Sequence, residues 1–329
     1  MNTAPTPTNP GEQGLAAWCG RYPVQPDALI GVAFSAGADS TALLLAARTR
    51  WPTRLVALHV NHGLQAAAES FEVHARAFCA KHGVRLQVAH VNAAHSPGES
   101  PEDAARQARY RTLARMAQDA GAACVLLGQH ADDQAETLLL ALSRGAGLPG
   151  LASMPERFER HGVVFGRPLL EIPAADLRSW LQANAHAFVD DPTNIDERFT
   201  RNRIRATLMP AWEACFPGFR PMLARSARHA AQAQRLLDEL ASIDQATVGT
   251  PPAIQFLRTL SRDRQGNALR AWLRHEGVAA SAAQLEELLD QIADCTTRGH
   301  RIQIKVADGL VTRDGAHLRY GRPAQPPTL

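Results

Sequence analysis

Apolar positions in the first half of the chain follow two alternating patterns. Continuous runs (Ala28-Leu-Ile-Gly-Val-Ala-Phe34, Leu55-Val-Ala-Leu-His-Val60, Val84 to Val91, Ala123 to Gly128) are separated by stretches in which apolar residues recur every three or four positions. The runs predict strands; the stretches predict helices over 41–50, 66–82, 101–120 and 132–144. Strands that are apolar throughout are buried on both faces. The pattern therefore predicts an α/β fold, a Rossmann-like parallel sheet with helices on both faces. Ligands of such sheets bind outside the carboxyl ends of the strands.

The alternation fades near residue 150, where Pro149, Pro155, Pro168 and Pro173 mark a connector. Helices are expected near 174–186, 199–214 and 219–244, ahead of the break Thr250-Pro-Pro252. The remainder reads as a smaller, mostly helical C-terminal domain with short strands at 300–306 and 316–320. The division expected is a disordered tail (1–25), a main domain (26–215), a linker helix (216–250) and a small C-terminal domain (251–322).

Composition narrows the class. A chain of 329 residues, 45% hydrophobic and 20% charged, is globular with about two domains, which excludes fibrous and wholly disordered proteins. No apolar run reaches the roughly 18 residues of a membrane span. Met1 to Gly14 has neither the basic flank nor the apolar core of a secretory signal, so a cytoplasmic protein with no membrane partner is expected. The cysteines (19, 79, 124, 215, 295) are odd in number and scattered, with no Cys-x-x-Cys. That argues against a disulfide framework, a zinc ribbon or a cysteine-ligated cluster. Charge is uneven: residues 196–235 carry a net +5, residues 298–322 a net +4, and the acidic residues of 276–294 lie between them. Two basic stretches of this kind suit a polyanion, although solvated helix faces give the same count.

Candidate chemistry collects at the ends of the expected strands. Ser35-Ala-Gly-Ala-Asp-Ser40 joins a strand to a helix, where backbone N–H groups and the helix dipole can converge on a phosphate. Ser35, Ala36, Gly37, Ala38, Asp39 and Ser40 are the nucleotide-binding candidates. Gly37 is expected to permit the turn or a close approach, and Asp39 to bind magnesium or cap the helix. A Walker Gly-Lys-Ser/Thr is missing. Asp132, Asp133 and Glu136 share a face at the start of a helix, where they suit a metal or an ammonium but also merely offset the helix dipole. Arg201 and Arg205 share another face, able to grip phosphates or a nucleotide bidentately. His59, His62 and His130 stand at strand ends, and Arg109 follows Arg106 on an amphipathic helix.

The phosphate loop resembles that of the N-type ATP pyrophosphatases (the PP-loop superfamily), which cleave ATP between the α- and β-phosphates. Within it, the chain resembles the tRNA(Ile)-lysidine synthetase family through His59-Val-Asn-His-Gly-Leu64, Glu102 to Tyr110, His130 to Thr137 and Arg144 to Leu148. Arg167-Pro-Leu-Leu170, Asp190-Asp-Pro-Thr-Asn194 and Arg201 to Arg205 continue the match in the family's order. The family pattern has Gly where Ala36 stands and His where Asn61 and Gln129 stand. The resemblance implies a PP-loop catalytic domain and a tRNA-contacting C-terminal domain, without the extra C-terminal domain of longer members. It implies ATP and Mg2+ as cofactors, with tRNA(Ile) carrying a CAU anticodon and free L-lysine as partners, and leaves a homodimer open. By the same resemblance Asp39, Asp133, Glu136, Arg201 and Arg205 are catalytic, with Asp39 and Asp133 on the magnesium, and His62, Arg109, His130 and Asp132 bind substrate. The alternatives are a PP-loop tRNA 2-thiolation enzyme, for which paired cysteines are missing, ammonia-using NAD or GMP synthetase relatives, and a non-catalytic tRNA-binding protein.

Overall fold

The computed structural model describes residues 8–61, 68–91, 101–190, 196–297 and 299–322. His62 and most of the Asp190 to Asn194 motif lie outside the described residues.

The chain divides into two compact units, Met1–His229 and Ala230–Leu329. In the first, β1 (Leu29–Ala33), β2 (Leu55–Asn61), β3 (Arg85–His90), β4 (Ala122–Leu126), β5 (Arg157–Arg160) and β6 (Val163–Gly166) form one sheet in the order β3-β2-β1-β4-β6-β5. Every neighbouring pair is parallel except β5 with β6. The sheet buries both faces, as its unbroken apolar strands require. Ile30, Val32, Leu55 and Ala57 pack on one side against α1 (Pro10–Arg21), α2 (Ala38–Arg50), α3 (Ala68–His82) and α7 (Ala174–Ala183). Val56, Leu58, Val125 and Phe165 pack on the other against Tyr110, Leu113 and Ala117 of α4 (Pro101–Ala120). This period of two within apolar strands is the pleat itself.

Three features of the first unit depart from the expected pattern. Residues 10–21, placed in a disordered tail, form α1, which starts at Pro10 with Asn9 capping Gly11 N at 2.8 Å. Leu15 and Trp18 of α1 are fully buried, and Trp18 Nε1 donates to Glu156 O at 3.0 Å. Its Gly- and Ala-rich face hides the apolar stripe that periodicity looks for. The sheet also gains β5 and β6 where the alternation fades; four-residue strands joined at His161-Gly162, both at positive φ, are too short to show a period. The single helix expected at 199–214 is instead α8 (Thr200–Arg203), a π-helical turn (Ile204–Leu208) and α9 (Met209–Cys215). Pro210 has no N–H to return to the carbonyl four residues back, and Met209 N bonds Ile204 O five residues back.

The division between the units falls inside α10 (Phe219–Val248). The second unit adds α11 (Ile254–Leu257), α12 (Arg262–His275) and α13 (Ala282–Asp294), followed by an antiparallel sheet. Its strands are β7 (Gln303–Val306), β8 (Gly309–Asp314) and β9 (His317–Gly321). Leu269, Trp272, Leu285, Leu288 and Ile292 pack against Val306, Val311 and Leu318. The strand between the two expected ones, β8, is bounded by Asp308-Gly309 and Asp314-Gly315, the latter glycine at positive φ.

Candidate active site

The strand order reverses direction between β1 and β4, and the loops leaving these two strands diverge there. After β1 the chain passes Phe34 and Ser35 and turns at Ala36, whose φ of 69° lies in the left-handed region. Gly37 is ordinary extended backbone at φ −73° and precedes α2 as its N-cap. The turn expected of Gly37 is therefore made one residue earlier, by an alanine. A Cβ on Gly37 would meet Ser35 Oγ at 3.4 Å and Val189 O at 3.9 Å, so it would fill the mouth of the loop without a clash.

The serine hydroxyls hold the loop's shape. Ser40 Oγ accepts from Ser35 N at 3.2 Å and donates to Gly37 O at 3.0 Å; Ser35 Oγ accepts from Gly37 N at 3.4 Å. Thr41 Oγ1 donates to the same Gly37 carbonyl at 2.9 Å. Ala36 and Ala38 are buried. The first-turn N–H groups of α2 have no helical acceptor, which makes them anion donors. Val189 N donates to Ala36 O at 2.9 Å and pins the turn from outside the sequence motif.

From β4 the chain reaches α5 (Ala131–Ser143) through Gly128 and His130. A Cβ at Gly128 would lie 3.1 Å from Ser40 N, a tight approach to backbone, so the glycine lets this loop pack closely on the start of α2. His130 caps α5: its Nδ1 accepts from Asp133 N at 3.4 Å while Asp133 Oδ2 accepts from His130 N at 3.1 Å. That places the ring proton on Nε2, 3.4 Å from Asp133 Oδ2 and 3.6 Å from Asp39 Oδ2. His130 thus bridges the carboxylates of two loops. Burial pushes the Asp39 carboxyl above its ordinary pKa and the charge of Asp133 adds to it, against His130 and Arg178; Asp39 Oδ1 is buried without a partner.

The chain of polar contacts continues to the π-helical turn. Arg205 Nη2 lies 3.4 Å from Asp133 Oδ1 and 2.7 Å from Glu136 Oε1. Glu136 is fully buried, its Oε2 has no partner, and burial followed by Asp133 raises its pKa while Arg205 and, more weakly, exposed Arg201 hold it down. Asp39, His130, Asp133, Glu136 and Arg205 are thereby brought into one constellation, which exposed Arg201 reaches only through its charge on Glu136. Arg109 joins the phosphate-loop side: it lines a cavity of about 200 Å³ with Ser35, Asp39, Ser40, Gln129 and Asp133. Leu58, Val60 and Leu113 form its apolar wall.

Asp132 lies at the edge of this group, 3.6 Å from His130 Nδ1, but its short hydrogen bonds go to structural partners, against the substrate-binding expectation. Its Oδ2 accepts from Ala174 N at 2.9 Å, capping α7, and its Oδ1 accepts from Arg220 Nε at 2.6 Å. Burial would push this carboxyl up, but those two donors hold it below the ordinary range. His59, buried, donates Nδ1–H to Phe34 O at 2.8 Å, and burial lowers its pKa, so the neutral ring ties β2 to the end of β1. Arg220 pairs with Asp132 and Glu213 and is a tether between helices.

The residues present fit magnesium. Among the described residues no three His, Cys, Asp or Glu side chains form a metal cage. Magnesium on a nucleotide needs only one or two carboxylates besides phosphates, and the orphaned Oδ1 of Asp39 with Asp133 nearby supplies them.

A parallel sheet with a phosphate loop at its switch point, facing an acid-bearing helix from the next strand, defines a PP-loop ATP-binding protein. The family model described as PP-loop domain matches residues 15–212, and that described as TilS substrate binding domain matches 253–322. The chain is 58% identical over 316 residues to the tRNA(Ile)-lysidine synthase of Polaromonas naphthalenivorans (strain CJ2), covering 96% of each. It is 45% identical to that of Burkholderia mallei (strain ATCC 23344), covering 81% of this chain and 56% of that one. The chain belongs to the tRNA(Ile)-lysidine synthase family. It spans nearly all of the first of these relatives and little more than half of the second. The U34-tRNA thiolase NcsA of Methanococcus maripaludis, solved with its [4Fe-4S] cluster, superposes with a TM-score of 0.57 at 16% identity over 67% of this chain and 77% of that one. That likeness is one of fold. The five cysteines here are unpaired, and all but Cys215 are buried.

Proposed function

We propose that the protein is a ligase that joins free L-lysine to C2 of the wobble cytidine of tRNA(Ile) with a CAU anticodon, consuming ATP and releasing AMP and pyrophosphate. The observation that carries this reading is the continuity from the phosphate loop through His130 and Asp133 to the Arg205–Glu136 pair. Two half-reactions need two neighbouring subsites, one for polyphosphate and one for an ammonium.

In the first, the α2 amides and Ser35-to-Ser40 loop would hold the triphosphate, and Asp39 and Asp133 would hold a magnesium ion that would supply charge neutralisation. The cytidine O2 attacks the α-phosphorus and pyrophosphate leaves. Arg109, which lines the cavity of the phosphate loop, would meet phosphoryl oxygens, and Arg201 and Arg205 would steady the developing negative charge. In the second, the ε-amine of lysine attacks C2 and AMP departs. An amine attacks only when deprotonated, and Glu136, carrying an orphaned buried oxygen, would hold the ammonium and take its proton. The basic residues of the second unit suit the tRNA backbone.

Among the described residues no helix is long and apolar enough to cross a membrane. The test is to mix protein, ATP, magnesium and tRNA(Ile), add each amino acid singly, and follow nucleotide products. AMP and pyrophosphate with turnover dependent on lysine support the reading. ADP as the main product, or turnover indifferent to the amino acid, rejects it.

A further inference from the structure

Arg167, on the chain leaving β6, is a buried guanidinium, 7% exposed, that pairs with no carboxylate among the described residues. Its hydrogen bonds all go to neutral oxygens: Pro155 O at 2.8 Å, Tyr110 Oη at 3.0 Å and Gln129 Oε1 at 3.1 Å. Its plane lies over the Phe158 ring, 4.3 Å from the centroid. Burial and the nearby charges of Arg106 and Arg109 act against its protonation, yet an arginine side chain does not give up its proton in a protein. Burying a lone cation is unfavourable, and folds ordinarily supply an acid beside it.

The acceptors show what this arrangement does. Tyr110 and Gln129 both line the cavity that the phosphate loop opens into. With Gln129 Oε1 engaged by Arg167, the amide nitrogen is the end left to the cavity. With Tyr110 Oη already accepting, its hydroxyl hydrogen is left to donate. Arg109 lines the same wall, 5.9 Å over the Tyr110 ring, and Arg160 lies over that ring at 4.9 Å. This side of the cavity therefore presents donors and the charge of Arg109, while the acids that line the cavity, Asp39 and Asp133, stand on α2 and α5.

We infer that Arg167 is a positioning residue that orients Gln129 and Tyr110 and gives this wall the charge to receive a phosphoryl group of the bound nucleotide, as a second anion subsite beside the phosphate loop. The inference rests on the cavity being the nucleotide site. The missing counter-charge is then the ligand's own, and it would be lost if the protein carried a carboxylate there.

Gln129→Glu supplies that carboxylate with little change of shape. It should pair with Arg167, leave thermal stability equal or higher, and weaken ATP and AMP at least tenfold in calorimetric titration while adenosine changes less than twofold. Arg167→Lys, which keeps the charge but cannot hold three acceptors, should weaken ATP less than Gln129→Glu does. A purely structural Arg167 would give Gln129→Glu unchanged ATP affinity, or equal losses for ATP and adenosine; either result overturns the inference. If Gln129→Glu fails to fold, Tyr110→Phe decides: ATP weakened severalfold with adenosine unchanged supports the subsite, and ATP unchanged overturns it. Wild-type protein that binds no ATP would reject the nucleotide site itself, and this inference with it.

Discussion

Arg205 donates from Nε to Glu136 Oε1 at 2.8 Å and approaches the same oxygen with Nη2 at 2.7 Å, across 69 positions of sequence. Both contacts fall on one oxygen. The other, Oε2, is buried with nothing to accept from. A half-saturated buried carboxylate is costly unless a ligand completes it, and a primary ammonium has the donors to do so.

Glu136→Gln keeps the shape and removes the charge. The KM for lysine should rise at least tenfold, about 1.4 kcal/mol of binding, while ATP and tRNA alone still yield adenylated tRNA. The check is the lysine dependence of AMP release, measured beside the adenylation half-reaction. Adenylation that fails and returns with extra magnesium would make Glu136 a metal ligand instead.

Asp39 illustrates a site held at the expense of stability. Its carboxyl titrates above the ordinary range, chiefly through burial. Such a group contributes most to folding when protonated, and the contribution is lost as pH rises from the unfolded-state pKa through the folded one. At neutral pH without ligand, Asp39 therefore works against the fold. Asp39→Asn should melt higher than wild type at pH 7, the gap closing as pH falls towards 4, about the unfolded carboxylate pKa, and AMP formation should be abolished. A variant that melts lower at pH 7 would contradict this.

The phosphate loop turns at Ala36, in the left-handed region, where a Cβ costs roughly 1–2 kcal/mol. Ala36→Gly should leave activity near wild type, because relief of strain offsets the lost buried methyl and the added chain entropy. Ala36→Val places a branched side chain there and should abolish nucleotide binding. Binding measured by calorimetry decides; full affinity in Ala36→Val would show that the loop does not need this turn.

Much of this was readable in the sequence because it is local. Apolar runs and small-residue loops identify β1 to β4, and the acids of α5 lie within one turn of each other. What escaped depends on contacts between distant segments. Asp132 carries the same signature as Asp133 but is turned to Ala174 and Arg220. Arg167 stands in a motif visible in the sequence, yet its partners come from α4 and the end of β4. The α1 helix escaped because its core contact rests on Leu15 and Trp18 amid glycine and alanine.

Charge counting likewise misjudged the arginines of 196–235, which are not equivalent. Arg220 is partly buried between Asp132 and Glu213, so Arg220→Ala should lower stability by about 1–3 kcal/mol through the stranded Asp132. Denaturant melts check that. Arg225 is exposed and pairs with no acid among the described residues, so Arg225→Glu should leave stability unchanged and reduce the salt slope of tRNA binding by about 0.7–0.9. An unchanged slope would return Arg225 to plain solvent-facing surface.

The most direct test of the central claim is the nucleoside itself. Unmodified tRNA(Ile) with a CAU anticodon is incubated with the protein, ATP, magnesium and isotopically labelled lysine, then digested to nucleosides and analysed by mass spectrometry. The account predicts labelled lysine bound to the base of the wobble cytidine through its ε-nitrogen, and none on tRNA whose wobble base is not cytidine. Label absent from the base, or a wobble base carrying sulfur in place of lysine, would contradict it.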